Sequence, residues 1–472
     1  MAFGSGNNTM SWVCLHLLLV LVFSAKVVLC GTRVKSIPGF AGDLPFKLYT
    51  GYVSVGKAEM FYYFIESEGN PKEDPLLLWY SGGPGCSVLS GIVYENGPIV
   101  FNYTAYEGGL PSTYYYPYSW TKTASVLFVD APVGTGFSYA TSADEFPSSD
   151  LKTAAQVYGF LREWLEEHPQ FLKVQLFIGA DSYSGLTGTI VVKYIIDDND
   201  AGVLPRLNLK GYVLGCPLTD QTLNGNSKYV YSHRMGLISD ELYEAAKESC
   251  NSSFYDATTS EPECYEDVQL MAKQIKDINK LCILEPKCTW ASPHQDGETA
   301  RRYLHENPEE FIRSLPEDPD YYCRNFNYML AYVWANDEGV RKALNVREGT
   351  VLDWKRCNKS LLYTEDVESV VEYHKYLSTK GLQVLIFNGD HDLTVPNTGT
   401  EQWIRSLDLP VVQYWRPWLV DGQIAGYTVK YSSSEGYRLT YATVKGAGHS
   451  APEYKRRECY MMFDRFIHYY PL

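Results

Sequence analysis

Hydrophobic residues in this chain come in short runs that polar positions do not interrupt. Six of these runs are rich in valine, leucine, isoleucine and aromatic residues: PLLLWY (75–80), ASVLFVD (124–130), VQLFIG (174–179), KGYVLG (210–215), LQVLIFNGD (382–390) and LTYATVKG (439–446). Continuous apolar runs are typical of strands whose two faces are both covered. We therefore expect each run to form a buried strand.

Helical periodicity occurs in the stretches that lie between and after these runs. Two apolar sets each fall on one face of a helix: Val157, Phe160, Leu161, Trp164 and Leu165, and then Cys459, Met462, Phe463, Phe466, Ile467 and Tyr470. Strands that alternate with helices predict an α/β fold with a doubly wound, mainly parallel sheet. The dipeptide Asp-Gly within VDGQ, at Asp421, additionally predicts a tight hairpin turn.

The pattern changes along the chain and divides it into four segments. Residues 1–30 contain an apolar run from Trp12 to Phe23 followed by small residues, which predicts a signal peptide. The run is shorter than the roughly 20 residues of a membrane span, so we expect no stable membrane anchor after cleavage. Residues 31–220 and 341–472 carry the strand runs and are predicted to form the two parts of the core. Residues 221–340 lose the strand pattern and gain cysteines and charges, which predicts a largely helical, disulfide-stapled cap.

Composition narrows the function classes. The chain has 56 acidic and 41 basic residues, a net charge of −15, which argues against nucleic acid and anionic membranes as partners. Apolar residues make up 45% of the chain, enough for a large core. No metal-ligand spacing and no dinucleotide-binding loop is present in the sequence, so we expect neither a metal nor another cofactor.

The predicted signal peptide places the chain in the secretory pathway, and so in the vacuole or outside the cell. Disulfides are the usual state of cysteines there. Asn102, Asn251 and Asn358 each begin an acceptor sequence for N-glycosylation, as expected for such a protein. Cysteine spacing alone does not fix the pairing, and we expect Cys216, which follows a predicted strand, to be a small buried residue.

Ser182 is the candidate nucleophile. It lies in GADSYSG, directly after a predicted buried strand and before an apolar helical stretch. A serine on such a turn is exposed at the carboxyl end of the sheet, where the next residue's N–H points to a developing oxyanion. The usual glycines two residues before and after are replaced by Ala180 and Ser184. An ordinary turn serine is the competing interpretation.

The order of the later residues favours catalysis. Serine hydrolases of this architecture place nucleophile, acid and base in that sequence, with the acid and the base after later strands. Asp390 and Asp392 follow one predicted strand and His449 follows the next. The histidine would take the serine proton, and the aspartate would orient the imidazole. The residue pattern alone does not choose between the two aspartates. The glycine-rich loop SGGPGCS, residues 81–87, offers backbone donors for an oxyanion.

At the level of motifs, the chain resembles the plant serine carboxypeptidase-like proteins from about residue 45 to its end. The shared motifs include WYSGGPGCS, ENGP, FVDAPVGTGFSYA, GADSYSG, MGLISDELYE, VLIFNGDHDLTVP and VKGAGHSAPEYK. The resemblance implies an α/β-hydrolase fold with an inserted cap. It also implies a triad of Ser182, Asp392 and His449, and an oxyanion hole made by the N–H groups of Gly83 and Tyr183.

The same resemblance implies a disulfide framework. Its bridges would be Cys86–Cys323, Cys250–Cys264 and Cys282–Cys288, and we expect Cys357 and Cys459 to be unpaired thiols. Some relatives are cut within the insertion, so we expect either a monomer or a processed two-chain form that Cys86–Cys323 would tether.

Three positions bear on the reaction. Peptidases of the family bind a terminal carboxylate with an asparagine and two glutamates, whereas this chain has Ser81, Glu95 and Asp181 at those places. The combination is similar to the branch that transfers acyl groups from 1-O-β-glucose esters to plant metabolites. We therefore expect an acyl-glucose donor and a small metabolite acceptor. The alternatives are a carboxypeptidase and, because Ala180 crowds the turn, a catalytically inactive binding protein.

Overall fold

A computed structural model describes residues 31–287 and 324–472 of the chain. Sixteen strands lie in this part of the protein: β1 (Thr32–Val34), β2 (Leu48–Val55), β3 (Ala58–Ile65), β4 (Leu76–Tyr80), β5 (Ile99–Phe101), β6 (Thr113–Tyr115), β7 (Ser125–Val129), β8 (Tyr139–Ala140), β9 (Ser148–Ser149), β10 (Leu176–Asp181), β11 (Leu209–Gly215), β12 (Tyr363–Thr364), β13 (Gln383–Gly389), β14 (Val411–Val420), β15 (Gln423–Ser432) and β16 (Arg438–Val444).

The α-helices of the same part are α1 (Asp150–Glu167), α2 (Ser184–Asp200), α3 (Gln221–Arg234), α4 (Asp240–Ser249), α5 (Pro262–Ile275), α6 (Asn325–Asn336), α7 (Glu338–Ala343), α8 (Val371–Leu377), α9 (Asn397–Ser406), α10 (Ala451–Tyr454) and α11 (Arg456–Ile467). A π-helical turn spans Gly91–Glu95, and 3₁₀ turns span Trp120–Lys122, Ala143–Glu145 and Pro169–Leu172. None of the described helices is long and apolar enough to cross a membrane.

Twelve of the strands form one sheet in the order β1-β2-β3-β7-β4-β10-β11-β13-β16-β15-β14, with β8 paired to β3. The six strands from β7 to β16 in this order run parallel to one another. They are the six strands that the apolar runs predicted. Antiparallel strands extend the sheet at both sides.

The parallel strands are buried along most of their length, because both faces of the sheet are covered. In β13, for example, Leu385 and Phe387 lie in one core cluster, and Val384 and Ile386 lie in the other. Successive side chains of a strand point to opposite faces, so an unbroken apolar run supplies both cores at once. The doubly wound sheet is thereby confirmed.

Helices bury the predicted apolar stripes against the two faces. The stripe of α1 packs in one cluster with α2, and the stripe of α11 packs in the other with α6. Tyr470 departs from the prediction: it is 60% exposed, because α11 ends at Ile467 and the chain turns away. The predicted hairpin joins β14 to β15, with Asp421 and Gly422 at φ 47° and 73°, as a type I′ turn requires.

Within the predicted cap, α3, α4 and α5 enclose a third, smaller apolar cluster. The Cys250–Cys264 bridge predicted there is present and joins the end of α4 to α5. Leu393 of the loop after β13 is also buried in this cluster. Helix α6 packs instead with the main core, through side chains such as Trp334. The first predicted segment, 1–30, lies outside the described residues.

The other predicted bridges are wrong. Cys86 is bonded to Cys357, which was expected to be a free thiol, and Cys323 lies outside the described residues. The cause is a short antiparallel contact: Ser87 donates to the Arg356 carbonyl and Asn358 to the Gly85 carbonyl, which sets the two cysteines face to face.

Cys282, expected to pair with Cys288, carries a free, buried thiol, and Cys288 lies outside the described residues. Cys216 and Cys459 are both free and buried, which confirms the predicted burial of Cys216 and the predicted free thiol of Cys459.

Two of the three predicted glycosylation acceptors differ clearly in accessibility. Asn251 is exposed just after α4, with φ 47°. Asn358 uses its Nδ2 atom, the atom that a glycan would occupy, to donate a hydrogen bond of 2.8 Å to the Gly134 carbonyl. Asn102 is half-buried. The structure thus favours Asn251 over Asn358 as an acceptor.

Candidate active site

Ser182 occupies a sharp turn between β10 and α2. Its φ is 57°, in the left-handed region that residues with a side chain seldom adopt. Backbone hydrogen bonds hold this conformation: Ser182 N–H donates to the Gly215 carbonyl at 2.9 Å, and its own carbonyl accepts from Gly185 and Leu218. The neighbouring strand therefore maintains the strained turn, as expected for a nucleophile elbow.

The two replaced glycines of this turn are accommodated by the surrounding residues. Ala180 is fully buried, and a methyl carbon at Gly188 in α2 would lie only 3.0 Å from its Cβ. Glycine at residue 188 of α2 therefore leaves room for the Ala180 methyl group, so helix and strand can still pack closely. Ser184 is buried as well, and its hydroxyl donates to the Ser81 carbonyl at 2.8 Å. The departures from the usual motif leave the turn intact.

The three predicted triad residues lie together at the carboxyl ends of β10, β13 and β16. His449 Nε2 is 2.6 Å from Ser182 Oγ, and His449 Nδ1 is 2.8 Å from Asp392 Oδ2. Burial opposes charging of the imidazole, but the Asp392 carboxylate outweighs it and raises the pKa of His449 well above its usual range. The pair is thus arranged to stabilise the imidazolium that forms when the serine loses its proton.

Backbone geometry distinguishes the two candidate aspartates. Asp392 is fully buried, and its Oδ1 accepts from the N–H groups of Thr394 and Val395, which leaves Oδ2 for the histidine. Asp390 instead accepts from Gly446 N–H and contacts His391 Nδ1. His391 therefore belongs to the turn after β13 and is not the catalytic base.

The two predicted oxyanion donors lie on segments that touch. Tyr183 follows the nucleophile and precedes α2, and a methyl carbon at Gly82 would lie 2.6 Å from Tyr183 N. Gly83, with φ 118°, continues the same loop. Only glycine at residue 82 permits this approach. The Tyr183 side chain is anchored by a hydrogen bond of 2.8 Å to the buried carboxylate of Asp150.

The three predicted substrate-binding residues lie beside the nucleophile. Ser81 and Asp181 directly follow Tyr80 and Ala180, which pair in neighbouring parallel strands, and Glu95 ends the π-helical turn. All three side chains are buried. Among the described residues, Ser81 Oγ, Glu95 Oε2 and Asp181 Oδ1 have no hydrogen-bond partner.

Burial disfavours the negatively charged forms of Glu95 and Asp181 in the subsite formed by Ser81, Glu95 and Asp181. Burial, and then the nearby Asp181 carboxylate, raises the pKa of Glu95 well above its usual range. Burial also raises the pKa of Asp181, although His449 and Ser450 act in the opposite direction. Two close buried carboxyls cannot both ionise easily, so we expect the pair to hold a proton to a higher pH than two separate, exposed carboxyls would.

Several neighbours of this subsite escaped the sequence reasoning. The Ser450 hydroxyl donates to Asp181 Oδ2 at 3.0 Å. The Arg356 guanidinium stacks on Tyr328, 3.8 Å from the ring centre, and Arg356 lowers the pKa of both Glu95 and Asp181. The position of Ser450 beside the histidine was a usable signal. Arg356, which stands alone beside Cys357 in the sequence, gave no such signal.

A buried carboxylate fixes the glycine-rich loop. Asp130 Oδ1 accepts from Ser87 Oγ at 2.7 Å and Val88 N–H at 2.9 Å, and its Oδ2 accepts from Phe137 N–H. Burial raises the pKa of Asp130 to about 6. The VDAP motif is the signal that could have identified this residue.

The predicted cap is attached to the two loops that carry acid and base. His449 N–H donates to the Leu281 carbonyl at 2.6 Å, Ile283 N–H donates to the His391 carbonyl, and Leu393 N–H donates to the Lys280 carbonyl. Residues 280–283 therefore act as a brace between the loops after β13 and β16.

This arrangement of an elbow serine, a histidine and a buried aspartate agrees with the comparisons with known proteins. The family model described as serine carboxypeptidase matches residues 38–469. The chain belongs to the serine carboxypeptidase family. It is 43% identical to serine carboxypeptidase-like 17 and 42% identical to serine carboxypeptidase-like 7, both from Arabidopsis thaliana, over 98% and 99% of this chain and 98% and 100% of the relatives.

The family's fold also agrees with a solved structure. Kex1Δp, a prohormone-processing carboxypeptidase from Saccharomyces cerevisiae, superimposes with a TM-score of 0.69 at 19% identity, over 89% of this chain and 91% of that chain. At this identity the likeness shows the fold alone. The α/β-hydrolase fold predicted from the sequence is confirmed, and the chain is a serine hydrolase by family.

Proposed function

We propose that this protein is a secretory-pathway acyltransferase that moves an acyl group from a 1-O-β-glucose ester to a hydroxyl or amine of a plant metabolite. Ser182 Oγ attacks the ester carbonyl while His449 Nε2 takes its proton. The N–H groups of Gly83 and Tyr183 stabilise the oxyanion. His449 then returns the proton to the departing glucose oxygen, which leaves an acyl-enzyme on Ser182.

The second half of the reaction reverses these roles. The acceptor gives its proton to His449 and attacks the acyl-enzyme, and the same proton returns to Ser182 Oγ as the product leaves. Asp392 holds Nδ1 of the histidine throughout, so that Nε2 faces the serine. No cofactor is needed, because an anomeric ester is already activated.

The observation that carries this proposal is the set of partnerless polar atoms beside the nucleophile. Ser81 Oγ, Glu95 Oε2 and Asp181 Oδ1 are buried without a partner among the described residues. Burying such atoms is costly unless a ligand satisfies them. Sugar hydroxyls both donate and accept, which suits a serine and a carboxyl pair that retains a proton.

The same residues are poorly suited to binding a peptide's C-terminal carboxylate in the family's usual way. Serine lacks the amide donor of asparagine, and aspartate withdraws the carboxyl by about 1.5 Å, one methylene shorter than glutamate. Loss of one hydrogen bond to a charged group costs about 1.5–3 kcal/mol. We therefore expect weak binding of peptide ends.

One observation favours carboxypeptidase activity as a second candidate. If Glu95 and Asp181 share a proton, that proton can be donated to a terminal carboxylate as well as to a sugar. Peptidase activity that depends on it would be lost as the pH rises and the pair gives up the proton. An inactive binding protein is disfavoured by the 2.6 Å contact between Ser182 and His449.

The deciding experiment offers purified protein a panel of aromatic and aliphatic 1-O-glucose esters with a plant extract, and follows acylated products by mass spectrometry. Blocked dipeptides are offered in parallel, and Ser182→Ala is the matched control for both. New acyl products that are absent with Ser182→Ala would support the transferase. Release of C-terminal residues without any transfer would refute it. Failure of a fluorophosphonate to label Ser182 would indicate an inactive protein.

A further inference from the structure

The thiol of Cys216 lies against the catalytic histidine. Cys216 directly follows β11, and its backbone is held in the left-handed region, with φ 42°, by donation of its N–H to the Phe387 carbonyl at 2.7 Å. Its sulfur accepts from Gly389 N–H at 3.5 Å, so the side chain faces the end of β13. Cys216 is fully buried and free.

Three different ligand types therefore meet at the carboxyl ends of β11, β13 and β16. One ligand atom each from Cys216, Asp392 and His449 lies within 4.8 Å of the others, and all three residues are buried. A thiolate, an imidazole and a carboxylate are the ligands that zinc and cadmium prefer. Donors bound to one zinc ion lie roughly 3.5 Å apart, since Zn–S and Zn–N bonds are about 2.3 and 2.0 Å. The donors would therefore have to approach one another by at most roughly 1.3 Å to bind one ion.

We propose that Cys216, His449 and Asp392 form a binding site for a soft divalent cation of the zinc and cadmium class, and that its occupation switches off the catalytic base. Binding replaces the thiol proton, which passes to solvent, with a metal–sulfur bond. A nitrogen of His449 supplies its lone pair to the cation. While it does so, the imidazole cannot accept the Ser182 proton with correct geometry. Removal of the cation by a chelator restores the triad, so the inhibition is reversible.

The cation site differs from the reaction chemistry proposed above and does not depend on it. Whether the substrate is an ester or a peptide, Ser182 needs a free imidazole. A fluorophosphonate that labels Ser182 therefore reports occupation of the site without knowledge of the substrate. Cd²⁺ is a suitable probe, because a cadmium–thiolate bond has an ultraviolet charge-transfer band of its own.

The experiment compares full-length wild type with Cys216→Ser, Cys459→Ser and Cys282→Ser. Cys459 is a matched control, since it is also a buried free thiol but lies in α11. Cys282 is a closer control, beside Gly448 and outside the ligand cluster. The rate at which the fluorophosphonate labels Ser182 is measured for each protein in the presence of CdCl₂, of MgCl₂, or of CdCl₂ followed by a chelator. Each labelling rate is divided by the rate for the same protein without metal.

We expect Cd²⁺ to slow labelling in wild type and in both control variants, and the chelator to restore it. Loss of a residue that only supports a metal ligand already lowers metal affinity by about 10–100-fold, so loss of the thiolate ligand itself in Cys216→Ser should require at least about tenfold more Cd²⁺. The cadmium–thiolate band should appear at one ion per molecule in Ser182→Ala, which removes the nucleophile and leaves the ligands. Equal cadmium sensitivity in Cys216→Ser, or equal inhibition by Mg²⁺, would overturn the proposal.

If Cys216→Ser does not fold, Cys216→Ala replaces it. The cadmium–thiolate absorption band then decides whether the cation binds at Cys216. A one-to-one band that Cys282→Ser and Cys459→Ser both retain would support the site. Its absence from folded Ser182→Ala would overturn it.

Discussion

The contact between Ala180 and Gly188 leads to a quantitative prediction. Ala180 lies in β10, which is hydrogen-bonded to strands on both sides, and Gly188 lies in α2 above it. A methyl carbon at residue 188 would lie 3.0 Å from Ala180 Cβ, 3.5 Å from Tyr80 Oη and 3.7 Å from Leu214 Cδ2. The optimal separation of two carbon atoms is about 3.5–4.0 Å, so only the contact with Ala180 is too short.

Gly188→Ala should therefore destabilise the fold by about 0–2 kcal/mol. Overpacking of this size costs about 1–3 kcal/mol, and alanine regains about 1 kcal/mol over glycine in a helix interior. Ala180→Gly alone should cost about 1–2 kcal/mol, from a buried methyl and a freer strand backbone. In the double variant the clash is gone and the helix gain remains. The two substitutions should thus be coupled favourably by about 1–3 kcal/mol.

The assay is urea unfolding of wild type, Gly188→Ala, Ala180→Gly and the double variant, each with its disulfides intact. The unfolding midpoints are converted to free energies with one common slope. Fluorophosphonate labelling of Ser182 is measured beside it. A shift of α2 moves the elbow, so Gly188→Ala should label more slowly and the double variant should recover. If the two stability effects add within about 0.5 kcal/mol, the two residues are not coupled and the explanation of Ala180 is wrong.

Three further results are expected. Burial lowers the pKa of His374 to about 3, whereas the same histidine in the unfolded chain has a pKa near 6.5, so stability is lost as the pH falls between these values. From pH 7 to pH 5 the free energy of unfolding should fall by about 2 kcal/mol. The urea midpoint of His374→Phe should not show this fall. Asp392→Asn should slow acyl-enzyme formation by about 10⁴-fold with unchanged urea midpoints, because the asparagine would favour the wrong histidine tautomer; a loss under about tenfold would contradict the assigned role. Replacing Cys86 and Cys357 by alanine should lower the free energy of unfolding by about 2–5 kcal/mol, and unchanged midpoints would contradict a structural role for the bridge.

The sequence predicted the centre of the sheet better than its sides. The six parallel strands were recognisable because both faces are buried. Strand β14 is exposed over most of its length, and β2 mixes buried and exposed positions without a clear alternation. Such strands outside the parallel centre form because a neighbour offers hydrogen bonds, and their own residues signal this only weakly.

Within the site, local motifs could be read and long-range neighbours could not. The positions of Ser182 and His449 after strands were visible. The choice of Asp392 over Asp390 depends on which carboxylate the following N–H groups hold. The pairing of Cys86 with Cys357 depends on a backbone contact between residues 271 positions apart. The sequence identifies Cys216 only as a buried residue. Its position beside Asp392 and His449 depends on the order of β11, β13 and β16 in the sheet.

The order of strands divides the sheet at one line. Every strand of this sheet that precedes residue 288 lies on one side, ending with β11, and β13, β16, β15 and β14 lie on the other. Residues 211–215 pair with 383–387 along that line. Ser182 belongs to the first side, and Asp392 and His449 to the second. A single cut within 288–323 would turn one polypeptide into two subunits that each hold part of the triad. Cys86–Cys357 would still join them, so the enzyme would then be an obligate heterodimer under reducing conditions and one covalent molecule otherwise.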